Sequence, residues 1–357
     1  MIHVTQTYLP DQEKYITYLK KIWESGWITN NGPTVLMLED KLKKFLNVPN
    51  FNYCNNGTIA LQIALKALKI TKEVITTPFS YVATTNAILW ENCKPIFVDI
   101  NDADFNIDVS KIESQITDNT EAILITHVFG NPCDVEGIEV IAGRHNLKVI
   151  YDAAHAFGIE YKNKSLLSFG DISTCSFHAT KIFHTIEGGA IICKDDSINQ
   201  KIYLMRQFGH IGDEYFLAGI NGKASEMHAA MGLCVLEDIE KIFELRKQVI
   251  GYYNTHLNLA ELETPTPLPG TSNNYAYYPV VFKTEDILIK VMQSLAERNI
   301  IPRRYFYPSL NSLPFLNEYI NCPVSENISK KILCLPLSTY LLNNQLELIT
   351  NTINQNL

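Results

Sequence analysis

Lys181 closes the run Ser176-Phe177-His178-Ala179-Thr180-Lys181, and Glu187-Gly188-Gly189 follows a short way on. A strand-like stretch, Ile172 to Phe177, leads in, and a second apolar run, Ala190 to Cys193, leads out. A lysine held in a turn at a strand end beside two glycines can be aimed into a cleft instead of into water. With its ammonium pKa lowered by those surroundings it becomes a nucleophile toward carbonyl compounds, able to form a Schiff base. A solvated loop lysine is the competing reading, and the stretch alone leaves the two level.

Three further stretches carry chemistry. Asp152, in Tyr151-Asp152-Ala153-Ala154-His155-Ala156, follows an apolar strand. Ligands of open α/β sheets bind at that end of the strands, and a carboxylate there can ion-pair with a protonated ring nitrogen; a helix N-cap fits the same aspartate. Asn56-Gly57-Thr58 precedes an apolar helix. Free N–H groups and the helix dipole make such a turn an anion site, with Gly57 allowing close approach and the Thr58 hydroxyl adding a donor. A plain N-cap turn is the alternative. Tyr81, in Pro78-Phe79-Ser80-Tyr81, is an aromatic at a strand end. It can cover a flat ring or fill the core.

The elements that position these residues alternate. Periodicity predicts helices over 11–24, 34–46, 59–69, 83–90, 109–117, 134–145, 197–208 and 224–250. Short apolar strands fall at 51–54, 73–77, 95–98, 122–126, 148–151, 172–177 and 190–193. Such alternation implies an α/β fold with a mostly parallel sheet buried on both faces. After the Pro-rich turn Thr264–Gly270 come a strand at 275–282, a helix at 285–298, a strand at 300–307 and helices near 326–332 and from 343. We expect a large α/β domain over 1–245 and a small α+β domain over 246–357.

The chain has 357 residues, is 46% hydrophobic and carries a formal charge of −8. It has no long basic run for nucleic acid or an anionic membrane, no membrane-spanning apolar segment and no signal-peptide pattern. None of the eight cysteines makes a C-x-x-C pair, so no metal is expected and the reading is a reduced, cytoplasmic protein. Neither a G-x-G-x-x-G fingerprint nor a G-x-S-x-G elbow is present.

In chain order the motifs are N-G-T, P-F-S-Y-V-A-T, Y-D-A-A-H-A-F-G, S-F-H-A-T-K, E-G-G and G-I-N-G-K. From Gly26 to about Pro336 the chain resembles the DegT/StrS family of sugar-nucleotide aminotransferases. The resemblance implies pyridoxal-phosphate enzymes of fold type I, the aspartate aminotransferase-like fold. It implies that Lys181 and Asp152 are catalytic, Lys181 as the Schiff-base lysine and Asp152 as partner of the pyridine nitrogen. It further implies that His155 lies against the ring or its phenolic oxygen, that Tyr81 stacks on the ring, and that Gly57, Thr58 and Ser176 hold the phosphate. Asn221 would reach the phosphate of a neighbouring subunit, making a homodimer with shared sites.

Two departures stand out: Lys223 replaces an arginine common in the family, and Ile182-Phe183-His184 follows the lysine in place of Asn-Leu. These variants look most like the branch that makes dTDP-4-amino-4,6-dideoxy-D-glucose from dTDP-4-keto-6-deoxy-D-glucose. L-Glutamate would be the amino donor, pyridoxamine phosphate the intermediate cofactor form, and the product would serve surface polysaccharide (O-antigen) or glycoconjugate biosynthesis. His184, Lys223, Arg303 and Tyr307 are the expected substrate contacts, although Arg303-Arg304-Tyr305-Phe306-Tyr307 reads equally as an edge strand with solvated arginines. A 3-keto sugar nucleotide aminotransferase and a cofactor-binding regulator without turnover are the alternatives.

Overall fold

The structure is a computed structural model describing residues 1–357. Seven strands form the central sheet: β1 Asn50–Cys54, β2 Glu73–Thr76, β3 Lys94–Phe97, β4 Thr120–Thr126, β5 Lys148–Asp152, β6 Ile172–Ser176 and β7 Gly189–Cys193. Their spatial order is β1-β7-β6-β5-β4-β2-β3. Only β7 runs antiparallel to its neighbours, so the α/β sheet is mixed. In β4, Ile123 and Ile125 enter the core on one face while Ala122 and Leu124 enter the core on the other. An unbroken apolar run such as 122–125 is what burial on both faces requires.

Register brings the chemistry to one edge. Thr126 pairs with Asp152, Asp152 with Thr174, Ser176 with Gly189 and Gly189 with Cys54. The carboxyl ends of β4, β5 and β6 therefore finish level, beside the start of the helix Gly57–Ala67. That helix is apolar nearly all round and buries Ala60, Leu61, Ile63, Ala64, Leu65 and Ala67. Its first turn lies so near β6 that a Cβ on Gly57 would come within 2.9 Å of the Ser176 Cβ. A Cβ on Gly189 would meet the Asn56 carbonyl carbon at 2.6 Å, inside contact distance, so both positions need glycine.

The C-terminal part builds a three-stranded antiparallel sheet from Leu262–Glu263, Pro279–Phe282 and Ile332–Cys334, covered by the helices Glu285–Ala296 and Asn343–Asn354. The first residues return to it: Ile2–His3 pairs in parallel with Ile300–Ile301.

Three predicted elements differ. The helix expected over 109–117 is two single 3₁₀ turns, Val109–Lys111 and Glu113–Gln115, each capped within its own turn. The helix expected over 224–250 is two, Glu226–Glu237 and Ile239–His256. They break at Asp238, whose carboxylate accepts from the Tyr8 hydroxyl and the Lys14 ammonium, both at 3.0 Å. The strand expected over 300–307 stops after Ile301, because Pro302 has no N–H to continue a ladder.

Candidate active site

A cleft opens at the carboxyl ends of β4–β6. Asn56, Gly57, Thr58, Tyr81, Asp152, His155, Ser176, Lys181 and Arg303 all line it. At its base, Asn56 caps the helix by accepting the Ile59 N–H at 2.8 Å. The N–H groups of Gly57 and Thr58 are left without a partner in the chain, beside the Ser176 hydroxyl. Several convergent donors at the positive end of a helix dipole form a cup for a dianion.

Asp152 ends β5 and is buried. Its Oδ2 accepts from the Thr84 hydroxyl at 2.7 Å and its Oδ1 from the Ala154 N–H at 3.1 Å. Burial pushes its pKa up; the Thr84 and Ala154 donors and the nearby Lys181 ammonium pull the other way. A buried carboxylate with so few donors is short of a cation, and a protonated ring nitrogen would supply one. Lys181 follows β6 on a loop anchored by buried Phe177, Ile182 and Phe183. The Phe177 and Phe183 rings meet edge to face at 4.9 Å, and Phe183 stacks on Phe157 at 4.5 Å. Such aromatic pairs contribute about 0.5–1.5 kcal/mol each, enough to hold the loop without help from Lys181. The lysine is thus free for chemistry. Its Nζ donates to the Tyr277 hydroxyl at 3.3 Å. Burial lowers its pKa, with the Asp152 charge opposing, so more of the amine is neutral near pH 7 than for a solvated lysine.

His155 is buried on the cleft wall, its ring parallel to Phe306 at 5.6 Å and edge-on to Tyr277 at 4.7 Å. Its Nδ1 accepts the Phe129 N–H at 3.2 Å, so the neutral ring carries its proton on Nε2. Burial holds its pKa well below the usual imidazole range. Tyr81 is half exposed at the start of the helix Val82–Trp90, an aromatic face on the rim. Arg303 stands at the mouth over the Tyr305 ring, 4.8 Å from its centre.

Four expected residues lie elsewhere. His184 does not line the cleft: it is buried and its Nε2 donates to the Tyr8 carbonyl at 2.7 Å, pinning the N-terminal segment. Following Lys181 in sequence, it is carried inward with Phe183. Lys223 stays outside and lies over the Phe208 ring at 4.7 Å, its pKa lowered first by burial and then by Arg206. Tyr307 is half exposed outside the cleft, stacked under the Arg304 guanidinium at 3.6 Å. Asn221 lies on an exposed turn, outside its own chain's cleft, where its carbonyl accepts from the Asn55 side chain at 3.2 Å.

The cleft also holds residues that sequence reasoning missed: Ser80, Thr126, His178, Glu187, Tyr277 and Tyr305. Ser80, His178 and Glu187 lay inside motifs already singled out, and Tyr305 inside the Arg303–Tyr307 stretch. The tyrosines come from the C-terminal part, and nothing in their spacing announces a cleft.

A family model described as the DegT/DnrJ/EryC1/StrS aminotransferase family matches residues 10–354. A dTDP-4-amino-4,6-dideoxy-D-glucose transaminase of Shigella dysenteriae is 42% identical, over 99% of this chain and 98% of the relative. One of the same description from Escherichia coli is 42% identical, over 95% of this chain and 94% of the relative. Among solved structures, DesI in the presence of its TDP-sugar product superposes with a TM-score of 0.94 at 27% identity, covering 99% of this chain and 92% of that one.

Proposed function

The chain belongs to the DegT/DnrJ/EryC1/StrS aminotransferase family, and from that premise we propose that it moves the amino group of L-glutamate to C4 of dTDP-4-keto-6-deoxy-D-glucose, forming dTDP-4-amino-4,6-dideoxy-D-glucose. It is a pyridoxal-phosphate-dependent sugar-nucleotide aminotransferase. The particular ketone and donor are our reading, and the observation that carries it is the 42% identity to two transaminases of that description.

The residues of the cleft fit the cofactor. Gly57, Thr58 and Ser176 would hold its phosphate, Asp152 its ring nitrogen, His155 and Tyr81 its two sides, and Lys181 its aldehyde carbon. When bound, the cofactor supplies an electron sink for charge developing at the substrate carbon. Asp152, with Thr84 and Ala154 donating to its carboxylate, would hold the ring nitrogen protonated. Lys181 Nζ takes the proton from the glutamate Cα and, in the second half-reaction, delivers one to the sugar carbon that gains nitrogen. Tyr277 orients Lys181. His178 and Glu187 lie 3.6 Å apart on the rim, and Arg303 would receive the diphosphate.

The working unit in this reading is a homodimer with shared sites. Supporting it, Asn221 sits beside a set of large exposed apolar side chains, Phe208, Ile211, Phe216 and Ile220, which a second copy would cover. Residues 1–245 and 246–357 form its two domains. In support, the apolar side chains from Val249 to Ile353 gather into a core of their own, although the helix Ile239–His256 runs unbroken across the boundary. No helix is long and apolar enough to cross a membrane. The enzyme acts in the cytoplasm, away from membrane and nucleic acid, and its product feeds surface polysaccharide (O-antigen) or glycoconjugate assembly.

The test is a panel of dTDP-, UDP- and GDP-linked 3-keto and 4-keto sugars offered with L-glutamate, with products identified by NMR. We expect amination at C4 of the dTDP sugar with 2-oxoglutarate released. Amination at C3 would replace this reading with the 3-keto alternative. Cofactor binding without turnover of any ketone would make the protein a regulator.

A further inference from the structure

Thr84 lies on the helix Val82–Trp90, where a threonine hydroxyl ordinarily bonds a carbonyl one turn back. Its hydroxyl makes no such bond; it reaches across to Asp152 Oδ2 at 2.7 Å. Ser80 Oγ lies 2.8 Å from Thr84 Oγ1 and 2.7 Å from Thr126 Oγ1. Thr126 is also 3.5 Å from Thr84, a longer approach than either link through Ser80. Ser80, Thr84 and Thr126 are all buried.

The direction of this chain of hydroxyls follows from counting protons. Each hydroxyl has one to give. A carboxylate can only accept, so the Thr84 proton points at Asp152. The Thr84 oxygen is then an acceptor, and Ser80 donates to it. The Ser80 oxygen in turn accepts from Thr126. Three O–H dipoles therefore point the same way and end on one carboxylate oxygen. Aligned hydrogen bonds polarise one another, and away from bulk water their effect on a buried charge is not screened.

We propose that Thr84, oriented by Ser80 and Thr126, is the positioning residue that keeps Asp152 ionised and fixes its second oxygen, so that the carboxylate can hold a protonated ring nitrogen. The proposal rests on Asp152 facing the ring nitrogen of the cofactor, the reading given above. It assigns Ser80 and Thr84, from the segment that opens the helix Val82–Trp90, and Thr126, the last residue of β4, to one electrostatic device. None of the three need touch cofactor or substrate.

The test compares the affinity of the full-length, cofactor-free protein for pyridoxamine phosphate and for the analogue whose ring nitrogen is replaced by C–H. The wild type should prefer the natural ligand by on the order of tenfold or more, the effect of one buried charge-assisted hydrogen bond. Thr84→Val, nearly the same shape without the hydroxyl, should bring that preference down to about threefold or less, and Thr84→Ser should restore it. General loosening of the cleft would weaken both ligands alike and leave their ratio unchanged. A Thr84→Val protein with the wild-type ratio therefore overturns the proposal. A wild type that does not discriminate overturns the pairing of Asp152 with the ring nitrogen, a separate failure. Should Thr84→Val not fold, Ser80→Ala carries the test: it removes the bond that orients Thr84 and should reduce the ratio by about two- to threefold, whereas an unchanged ratio rejects the chain.

Discussion

Asp152 is pulled in two directions, and the balance sets what its replacement should do. Burial disfavours its charge, while Thr84, Ala154 and Lys181 favour it. Asp152→Asn keeps the shape and removes the charge. Turnover should fall on the order of a hundredfold or more, as when a preorganised electrostatic contact is lost. The melting temperature should not drop, because a costly buried charge has gone. Steady-state kinetics and a thermal melt decide it; a rate near wild type would remove Asp152 from the chemistry. Asp152 and Lys181 were legible in the sequence because each follows an apolar strand, and strand ends are where such sheets bind ligands. His184 was misread for the opposite reason. Adjacency to Lys181 suggested the cleft, yet Ile182 and Phe183 turn the loop into the core and carry His184 with them. Thr84 was quoted within a motif and given no task, since only the folded sheet brings it to Asp152.

At the scale of elements, β4 to β6 build the cleft floor, and they bury histidines there as well. His127, just after β4, is fully buried, stacked on Tyr151 at 4.5 Å, and its Nδ1 accepts the Cys133 N–H at 3.1 Å. Burial brings its pKa from the ordinary 6.5 down to about 3. Its folded pKa lies below its unfolded one, so the unfolded chain binds the extra proton first. Stability is therefore complete above the unfolded pKa and is lost as pH falls below about 6.5. Between pH 7 and pH 5 this one group should cost roughly 2 kcal/mol of unfolding free energy. His155 acts in the same direction. In His127→Asn the drop measured by denaturant unfolding at the two pH values should shrink by about that amount; an unchanged drop would acquit His127. The seven strands were readable from their apolar runs, and their boundaries moved little. The antiparallel direction of β7 was not, because direction depends on the path of the loop 177–188 and not on apolar pattern. The break at Asp238 was equally silent: its partners, Tyr8 and Lys14, lie at the far end of the sequence.

At the scale of the whole molecule, the shared-site reading turns on Asn221, which cannot be tested in one chain alone. A Lys181→Ala chain and an Asn221→Trp chain should each be inactive. Mixed and allowed to exchange subunits, they should recover about a quarter of wild-type activity, since half the dimers are hybrid and one site in each hybrid is intact. No recovery despite exchange shown by mass spectrometry would place Asn221 in its own subunit's site or in none. The N-terminal segment has a consequence of another kind. Ile2–His3 pairs with Ile300–Ile301, the Leu337 N–H donates to the Val4 carbonyl, and the Tyr8 carbonyl accepts the His184 Nε2–H in the lysine loop. During synthesis these residues leave the ribosome long before their strand partner at Ile300–Ile301 has been made. The segment must wait, unpaired, while the central sheet folds behind it. The brace between the small sheet and the lysine loop therefore closes only after Ile300–Ile301 and Leu337 have emerged, and the loop that carries Lys181 is tied down well after its own strands are made.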